Sequence, residues 1–466
     1  MSDPLALVPL AAAAHGGRID DIPAHQLVAA GLTLLQRCAP LVRALSGKRS
    51  AILLPTMPAY LTALAASDGR GAVLINPLAA PPEIEHQLRD SNVGAVFTIE
   101  SLAGKLRADV PRLLLDDAPR SCRWLDGTAA REVDLGSHMG FDLAGDPDVP
   151  GRDEEAAIVY TSAMAGTPLG AILTHRNLIA NAIAAREAAA LDDRDHSLAL
   201  LPFAHLFGLT VTLLAPLLVG GRVTTLARFN PVRALELLET GNITLFVSVP
   251  SVFKSLIAIL EKRGDAFAGR SLRVCICGGA PVERALQDRW AELTGIELRQ
   301  GYGLTEAGPV CLFNRVQLPN ERGSLGVPFP GVRVNVTGDG EIAVAGDNVF
   351  RGYVSGNERG LSREGEWLRT GDLGVARQNG HFFFTGVRKP MFTRNGFNIY
   401  PREIERAVKA MNGVTSVTVR AIPDSARENE IALDIVGDVE REAVEQWCAR
   451  QLSVYKQPTR ISITRQ

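Results

Sequence analysis

Two glycine-rich segments place polar and acidic side chains where a chain could hold a ligand. In GYGLTEAG, which begins at Gly301, two glycines flank Tyr302, and Thr305 and Glu306 follow them. Glycine lets the backbone approach a bound molecule closely, but taken alone the segment is equally compatible with a tight loop that carries a solvated glutamate. The second segment is YTSAMAGTPLG, residues 160–170. It has the glycines of a phosphate-binding loop but lacks the usual lysine.

The overall composition excludes several classes of partner. The chain has 466 residues, which predicts two or three domains, and its formal net charge is -2. We therefore expect neither nucleic acid nor an anionic membrane as a partner. The six cysteines form neither a disulfide framework nor a zinc ligand set, which favours a reducing compartment such as the cytoplasm. Pro216 interrupts the longest apolar run, so a buried helix is expected there and no membrane span.

Strand-like apolar runs alternate with helix-like runs through most of the chain. SAILL at Ser50–Leu54 precedes a helical stretch, and PPEIEHQLRDS, which starts with proline at residue 81, precedes GAVFTI. This alternation predicts parallel sheets that are covered by helices on both faces. Ligands of such sheets bind beyond the carboxyl ends of the strands. Both glycine-rich segments are predicted to follow a strand directly, and each strand is predicted to be followed by a helix.

The C-terminal third of the chain has a different pattern of predicted secondary structure. Short strands and glycine turns dominate after Gly323, and a helix, a turn and a strand are predicted after Lys389. We predict a large N-terminal domain, residues 1–386, and a small, shortened C-terminal lid domain, residues 387–466. The expected fold is α/β, with two αβαβα sheet subdomains and a β-rich subdomain in the large domain and a mobile α+β lid.

Seven segments, in a fixed order, resemble those of the adenylate-forming acyl-CoA synthetases, a family that includes luciferases and peptide-synthetase adenylation domains. They are YTSAMAGTPLG with LTHRNL, LPFAHLFGL, VSVPSVF, CGGAPV, GYGLTE, RTGDLG and TGVRKPMFTRNGFNIYPREIE. One such segment would be weak evidence, but the whole ordered set is specific. The resemblance covers about Ser50 to Arg460 and implies an acetyl-CoA synthetase-like fold. It also implies two half-reactions: an acid and Mg-ATP form an acyl-adenylate and pyrophosphate, and a thiol such as coenzyme A (CoA) then displaces AMP.

The resemblance implies a role for each matching residue on the nucleotide side. Tyr302 is expected to stack on adenine, Asp372 to accept hydrogen bonds from the ribose hydroxyls and Thr305 to contact the α-phosphate. Glu306 is expected to hold Mg²⁺. The other expected nucleotide-binding residues are Thr161, Ser162, Gly166, Thr167, Gly170, Gly279, Ala280, Pro281, Gly303 and Arg388. Several of these residues are, taken alone, equally compatible with ordinary loops.

The resemblance places the acid near the segment LPFAHLFGL. His205 matches a position beside the substrate carboxylate, although a histidine in an apolar run is as often a core residue. The residues expected along the acyl chain are Phe203, Phe207, Pro250, Val252 and Phe253. All five are also ordinary core residues. No aspartate is placed to pair with an amino group, which favours an aliphatic or aryl acid over an amino acid.

The chain departs from the family pattern in the phosphate loop. That pattern is Tyr-Thr-Ser-Gly-Thr-Thr-Gly-x-Pro-Lys-Gly, whereas this chain has Ala163, Met164, Ala165 and Leu169 at four of its positions. A thioether and methyl groups cannot donate hydrogen bonds to an oxyanion. Because losing such a donor lowers rates by about 10²–10³ in other enzymes, we expect a modified phosphate site.

Two further departures lie in the predicted lid. Lys389 is the expected hinge, and Pro390 restricts it, so one domain orientation is expected to be preferred. Gly396 and Phe397 are expected near the thiol tunnel of the thioester-forming state. The family continues to a Gly-Lys pair whose lysine serves adenylation, and we expect that lysine to be absent because the chain stops at Gln466. Lys456 belongs to an earlier Tyr-Lys-x-Pro segment and is not expected to replace it.

Three functions remain open on this basis. The first is an acid–thiol ligase with a modified phosphate site, which uses ATP, Mg²⁺ and CoA or a carrier-protein thiol. The second is an enzyme of the same fold that skips adenylation and uses acyl-adenylate or another acyl donor. The third is a non-catalytic acyl- or nucleotide-binding partner protein. The identity of the acid and the oligomeric state are also open.

Overall fold

A computed structural model shows an α/β protein, and it describes residues 8–67, 69–117, 121–127, 129–135, 151–161, 168–356, 360–388, 391–424 and 427–465. The α/β class that the sequence predicts is confirmed. Two large sheets carry the site, a smaller sheet lies beside them, and an α+β unit follows at the C-terminus.

The first large sheet has a parallel centre. Its strands, in spatial order, are Val327–Pro328, Val310–Phe313, Leu298–Gly303, Val274–Cys277, Leu245–Ser248, His196–Ala199, Arg222–Thr225, Arg18–Ile19 and Ile22–Pro23. The strands at both edges run antiparallel to their neighbours. Cys275 and Cys277 are fully buried in it, as expected for small core side chains on one face of a strand.

The second large sheet is built in the same way. Its strands, in spatial order, are Gly352–Tyr353, Leu169–Thr174, Glu155–Thr161, Ala72–Leu74, Arg49–Leu53, Val93–Thr98, Arg112–Leu115, Ser121–Asp126 and Ala129–Asp134. The middle strands are parallel and the outer ones antiparallel. The β-rich sheet consists of Arg333–Val336, Glu341–Ala345, Trp367–Ala376, Arg363–Glu364 and Phe382–Val387.

The helices cover the sheets. In the first 300 residues they are Val8–Ala14, Ala24–Arg37, Ala39–Leu45, Ala59–Ala66, Pro81–Asp90, Glu100–Ala103, His175–Ala188, the π-type helix Phe207–Leu214 with Ala215–Leu217, Pro231–Thr240, Pro250–Arg263 and Arg284–Thr294. The C-terminal unit contains helices Pro401–Lys409 and Arg441–Gln451, the hairpin Phe392–Arg394 with Phe397–Ile399, and the strands Val414–Asp424, Glu428–Gly437 and Arg460–Thr464.

The buried residues form clusters that separate along the chain. The largest cluster draws on residues from Val8 to Phe382, and a distinct cluster draws on residues from Ile399 to Ile461. The division at residue 387 itself stays a prediction.

The structure corrects one local expectation around the phosphate loop. The strand Glu155–Thr161 is not followed by a helix, because the chain returns as the antiparallel strand Leu169–Thr174. The six side chains of this second strand are all buried, which suits a strand covered on both faces. The helix begins only at His175, where the Thr174 hydroxyl accepts the Asn177 N–H at 3.2 Å and so caps the helix. The glycines of GYG also lie within a strand and not after it.

Membrane-spanning segments were sought in the described part of the chain. No single helix there has the length and apolar character needed to cross a bilayer. The pair Ala24–Arg37 and Ala39–Leu45, bent by 84°, passes by length and composition when taken together.

Candidate active site

A pocket opens beyond the carboxyl ends of the central strands, where ligands of α/β sheets bind. Strands Val274–Cys277 and Leu298–Gly303 of the first sheet lead into its wall, and Ala72–Leu74 and Glu155–Thr161 of the second sheet reach it from the other side. The C-terminal unit closes the pocket with residues 396–400 and 455–456. The site therefore lies between the two large sheets and the C-terminal unit.

Tyr302 and Asp372 are paired in this pocket. The Tyr302 hydroxyl donates a hydrogen bond to Asp372 Oδ2 at 2.6 Å, and both residues line the wall. Burial raises the pKa of Asp372 to about 6, although the hydrogen bond from Tyr302 opposes this shift. Burial also raises the pKa of Tyr302 well above its ordinary value, so its hydroxyl stays protonated. Asp372 thus offers carboxylate oxygens as hydrogen-bond acceptors to a ligand, and its ionised fraction changes around pH 6.

Glu306 is a buried carboxylate of the pocket. It lies in the single helical turn Thr305–Ala307, and its Oε1 accepts a hydrogen bond from the Tyr353 hydroxyl at 2.8 Å. Burial raises its pKa, while Tyr353 and Thr161 act in the opposite direction. None of the lysine or arginine side chains that the structure describes forms an ion pair with Glu306. A desolvated acid of this kind gains most from a cation that arrives with a ligand.

The surroundings of Glu306 fit Mg²⁺ that binds together with phosphates. The described ranges contain no group of three or more His, Cys, Asp or Glu side chains suited to a metal ion. Mg²⁺ is usually held by one or two protein carboxylates together with substrate phosphates and waters. A single carboxylate beside Thr305 and Thr161, all three lining the pocket, fits this arrangement.

Glycines let the pocket wall come close to a ligand. Gly278 and Gly279 both line it, and Gly279 has a φ of +79°, a conformation that side chains disfavour. A Cβ atom on Gly303 would lie 1.8 Å from the carbonyl oxygen of Pro309, so only glycine fits there. Gly279 therefore offers backbone instead of a side chain to a flat ligand such as a purine, whereas Gly303 is required by the close packing on Pro309.

The structure brings together only part of the predicted phosphate loop. Thr161 and Leu169 line the pocket at either side of it. Ser162, Gly166 and Thr167 lie outside the described residues. Gly170 is not part of the wall, because it pairs with Tyr160 within the sheet and a Cβ there would lie 3.0 Å from Ile158.

Gly396 and Phe397 are at the pocket, as expected for the thiol side. A Cβ atom on Gly396 would lie 2.7 Å from a methyl carbon of Val249 in the large domain, so glycine permits this close approach. Phe397 stacks on Tyr455, with ring centroids 4.2 Å apart. The predicted hinge Lys389 lies outside the described residues.

Of the residues predicted to contact the acid, His205 and Phe207 line the pocket. Phe203 is fully buried against Tyr60. Pro250, Val252 and Phe253 lie on the buried face of helix Pro250–Arg263, where Phe253 packs on Phe246 and Trp290. These four residues form ordinary core, which was the alternative interpretation of each.

The environment of His205 keeps its ring neutral. The side chain is open to the pocket, but the protein around it displaces bulk solvent and thereby lowers its pKa. Its Nδ1 accepts the N–H of Phe207 at 3.3 Å. In a neutral ring the proton therefore lies on Nε2.

Besides Gly170, three predicted nucleotide ligands among the described residues are not brought to the pocket. Ala280 and Pro281 follow Gly279 but are not part of the wall. Arg388 forms ion pairs with Asp339 and with Glu341, whose Oε2 lies 3.0 Å from its Nε. Because these acids already neutralise the guanidinium, Arg388 acts within the β-rich sheet.

Several pocket residues were not among the predicted catalytic or binding residues. Tyr353 and Tyr400 lie near Glu306, and Glu83 and Lys456 form an ion pair at the pocket wall. Tyr400 lies in the motif NIYP, which the family resemblance implies to be near the thiol tunnel, and Lys456 lies in YKQP. Nothing in the local sequence marks Glu83 or Tyr353, because their partners are distant in the chain.

Comparisons with known proteins agree with this fold and site. A model of the AMP-binding enzyme family matches residues 38–354. A feruloyl-CoA synthase from Amycolatopsis sp is 32% identical over 439 residues, which cover 90% of this chain and 85% of that enzyme. A long-chain-fatty-acid–CoA ligase from Bacillus subtilis is 27% identical over 462 residues, which cover 88% and 81%. The structure of a double mutant of o-succinylbenzoate CoA synthetase from Bacillus subtilis has a TM-score of 0.81 at 23% identity and covers 98% of this chain and 95% of that one.

The chain therefore belongs to the AMP-binding enzyme family. It is an acid–thiol ligase that activates a carboxylic acid with ATP and Mg²⁺ and transfers the acyl group to CoA. The comparisons favour neither of the alternatives, an enzyme without adenylation or a non-catalytic binding protein.

Proposed function

We propose that this ligase binds ATP through Tyr302 and Asp372, coordinates Mg²⁺ through Glu306 and activates a compact aliphatic or aryl acid beside His205. The observation that carries the proposal is the buried carboxylate of Glu306, which lines the pocket and forms no ion pair with a lysine or arginine among the described residues. Thr305 and the Tyr302–Asp372 pair share this pocket with it.

The nucleotide side binds by shape and by one ionised acceptor. The ring of Tyr302 supplies an apolar face for adenine, and Gly278 and Gly279 line the same pocket as bare backbone. Ionised Asp372 accepts hydrogen bonds from the two ribose hydroxyls. To do so it releases or shares the Tyr302 hydroxyl, which is its partner in the ligand-free chain.

The first half-reaction depends on positioning and charge neutralisation. The acid's carboxylate oxygen attacks the α-phosphorus, a P–O bond forms, and the bond to pyrophosphate breaks. Mg²⁺, when bound, neutralises phosphate charge. Thr305 and Thr161 supply hydroxyl donors at the wall, and His205 can donate from Nε2 to the acid's carboxylate.

The second half-reaction uses the C-terminal unit. Its turn at Gly396 and Phe397 is seated on the pocket against Val249. We assign this arrangement to the thiol-transfer orientation. In that step the thiol sulfur bonds to the acyl carbon, and the acyl–AMP bond breaks.

We further propose that the acid is compact. Of the five side chains predicted along an acyl chain, Phe207 faces the pocket and the other four are closed into the core. A long chain would need part of this core to open, which costs packing energy. The name of the related feruloyl-CoA synthase indicates an aryl acid, and the name of the related long-chain-fatty-acid–CoA ligase indicates a long-chain acid. These two classes of acid can therefore be compared as substrates of this enzyme.

The test is pyrophosphate release from Mg-ATP with a panel of short aliphatic, long aliphatic and aryl acids, each with and without CoA. We expect release that depends on the acid, and the highest kcat/KM with a short or aryl acid. A preference for long-chain acids would refute the compact pocket. No release with any acid, with CoA consumed only when acyl-adenylate is supplied, would refute the adenylation step.

We also propose that the enzyme acts in the cytoplasm. All six cysteines are buried and unpaired. Burial raises the pKa of Cys277 and Cys275, which keeps these thiols protonated and unreactive. A reducing compartment suits such a set.

A further inference from the structure

One carboxylate of the large domain is clasped by the C-terminal unit. Glu83, in the first turn of helix Pro81–Asp90, accepts hydrogen bonds from Lys456 Nζ at 2.9 Å and from the Ser453 hydroxyl. Its Oε2 also accepts the N–H of Ala80 at 3.0 Å and so caps its own helix. The partners in the C-terminal unit are about 370 residues away in sequence.

Lys456 joins two carboxylates in this clasp, which we define as Glu83, Glu403, Ser453 and Lys456. Lys456 Nζ lies 2.5 Å from Glu403 Oε1, and Glu403 belongs to the same C-terminal unit. The side chains of Lys456, Glu403 and Glu83 are 6%, 8% and 12% exposed. All three charged side chains are thus largely buried where the C-terminal unit contacts the large domain.

A buried ionic contact between two domains has a different effect from an apolar contact. Apolar surfaces tolerate sliding, whereas desolvated charges lose their compensation as soon as a partner moves away. Selection of one arrangement, more than added stability, is the best supported role for buried ion pairs. Here the selected arrangement is one orientation of the C-terminal unit on the large domain.

The clasp is linked directly to the thiol side of the pocket. Tyr455, next to Lys456, stacks on Phe397. Glu403 lies in the helix that begins directly after Tyr400, and Phe397 and Tyr400 both line the pocket. Helix Arg441–Gln451 packs on helix Pro81–Asp90 and extends the same contact. Releasing Glu83 would free the elements that hold Gly396 at Val249.

We propose that Glu83 is a positioning residue that holds the C-terminal unit in the thiol-transfer orientation through Ser453 and Lys456. The inference rests on the proposed function. It assigns to Glu83 control of the second half-reaction, while the adenylation step does not require the clasp.

The first test is Glu83→Gln. Glutamine keeps the length, the helix cap and an acceptor for Ser453, but it removes the charge that faces Lys456. We expect the single-turnover rate of thioester formation from preformed acyl-adenylate and CoA to fall about tenfold. Acid-dependent pyrophosphate exchange should change less than about twofold. Glu85→Gln, on the same helix but paired only at the surface with Arg89 and Arg107, is the matched control and should change neither rate.

A second readout does not depend on activity. Hydrogen exchange of AMP-bound protein should show lower protection in the hairpin of residues 392–399 and in helix Arg441–Gln451 for Glu83→Gln, with no change elsewhere. Ser453→Ala should produce the same pattern more weakly. Its effect should be smaller in the Glu83→Gln background than in the wild type, because the remaining hydrogen bond to Ser453 holds the C-terminal unit less firmly once the charge that faces Lys456 is lost.

Equal losses in both half-reactions, or unchanged protection of the hairpin, would overturn the proposal. If the wild-type protein lacks ligase activity, the proposed function fails by itself. In that case unchanged exchange still refutes the clasp, and a local loss of protection still supports the held orientation.

Discussion

The nucleotide side of the pocket and the domain seam both bury carboxylates, but they satisfy them in opposite ways. Glu306 has a tyrosine hydroxyl and no described cation as partners. Glu83, at the wall of the same pocket, has a lysine, a serine hydroxyl and a backbone N–H. The two acids thus lie in one cleft, but only the charge of Glu83 is compensated by a described cation of the protein.

This difference separates binding from positioning. A buried acid whose charge is already compensated within the protein has little to gain from a ligand cation. A buried acid without such compensation gains from one, and its raised pKa reflects that need. The proposed Mg²⁺ site therefore lies at Glu306, and the proposed fixed contact between the domains lies at Glu83.

The largest expected effect tests the incomplete acid. Glu306→Gln should lower Mg²⁺-dependent pyrophosphate release by about 10²–10³ because the metal loses its protein carboxylate. AMP binding, measured by calorimetry without metal, should persist. Glu85→Gln serves as the surface control. An unchanged rate would show that Glu306 does not bind Mg²⁺. The proposed difference between Glu306 and Glu83 would then be wrong.

The second prediction concerns a substitution that adds a cationic side chain to the nucleotide side of the pocket. Leu169→Lys should raise the adenylation rate about tenfold, because Leu169 lines the pocket at the phosphate loop and a lysine would face the phosphates. Leu169→Met, similar in length but uncharged, is the control. Circular dichroism checks folding, since Leu169 is buried in a strand. A lower rate in a folded variant would contradict the position of the loop.

A pH effect of similar size concerns Asp372. Its pKa is raised to about 6, so the proton is bound below that pH and the carboxylate is ionised above it. Affinity for adenosine, which carries no titrating phosphate, should therefore fall about tenfold from pH 7 to pH 5. Asp372→Asn should bind more weakly and lose this pH dependence. A wild-type profile that is flat over this range would show that the ribose is bound elsewhere.

The smallest effect removes the hydrogen bond that Tyr353 donates to Glu306. Tyr353→Phe should lower the rate at limiting Mg²⁺ roughly fivefold, because one hydrogen bond contributes about 1 kcal/mol. The loss should be larger at lower pH, since this bond keeps the glutamate pKa from rising further. Tyr60→Phe is the control, because its buried hydroxyl has no partner among the described residues. Equal losses in both variants would indicate a general packing effect.

Much of the site followed from local motifs. Tyr302, Thr305 and Glu306 are consecutive or nearly so, and a short peptide that must contact one ligand keeps its spacing in any fold. Asp372, Gly396 and Phe397, which their motifs had marked, also lie at the pocket. Other motif residues face away from it. Arg388 turns to Asp339 and Glu341, and Phe253 faces the core because helix periodicity places it there.

The sequence by itself determined the alternation of elements, the buried cysteines and the segments that meet the nucleotide. These features depend on neighbours within about ten residues, and local propensity and spacing record them. Only the tertiary structure decided which buried acid is compensated. Glu306 and Glu83 are both single glutamates in helical turns, and nothing near them in the chain distinguishes them. Their difference arises because folding brings Lys456 to one and no described cation to the other.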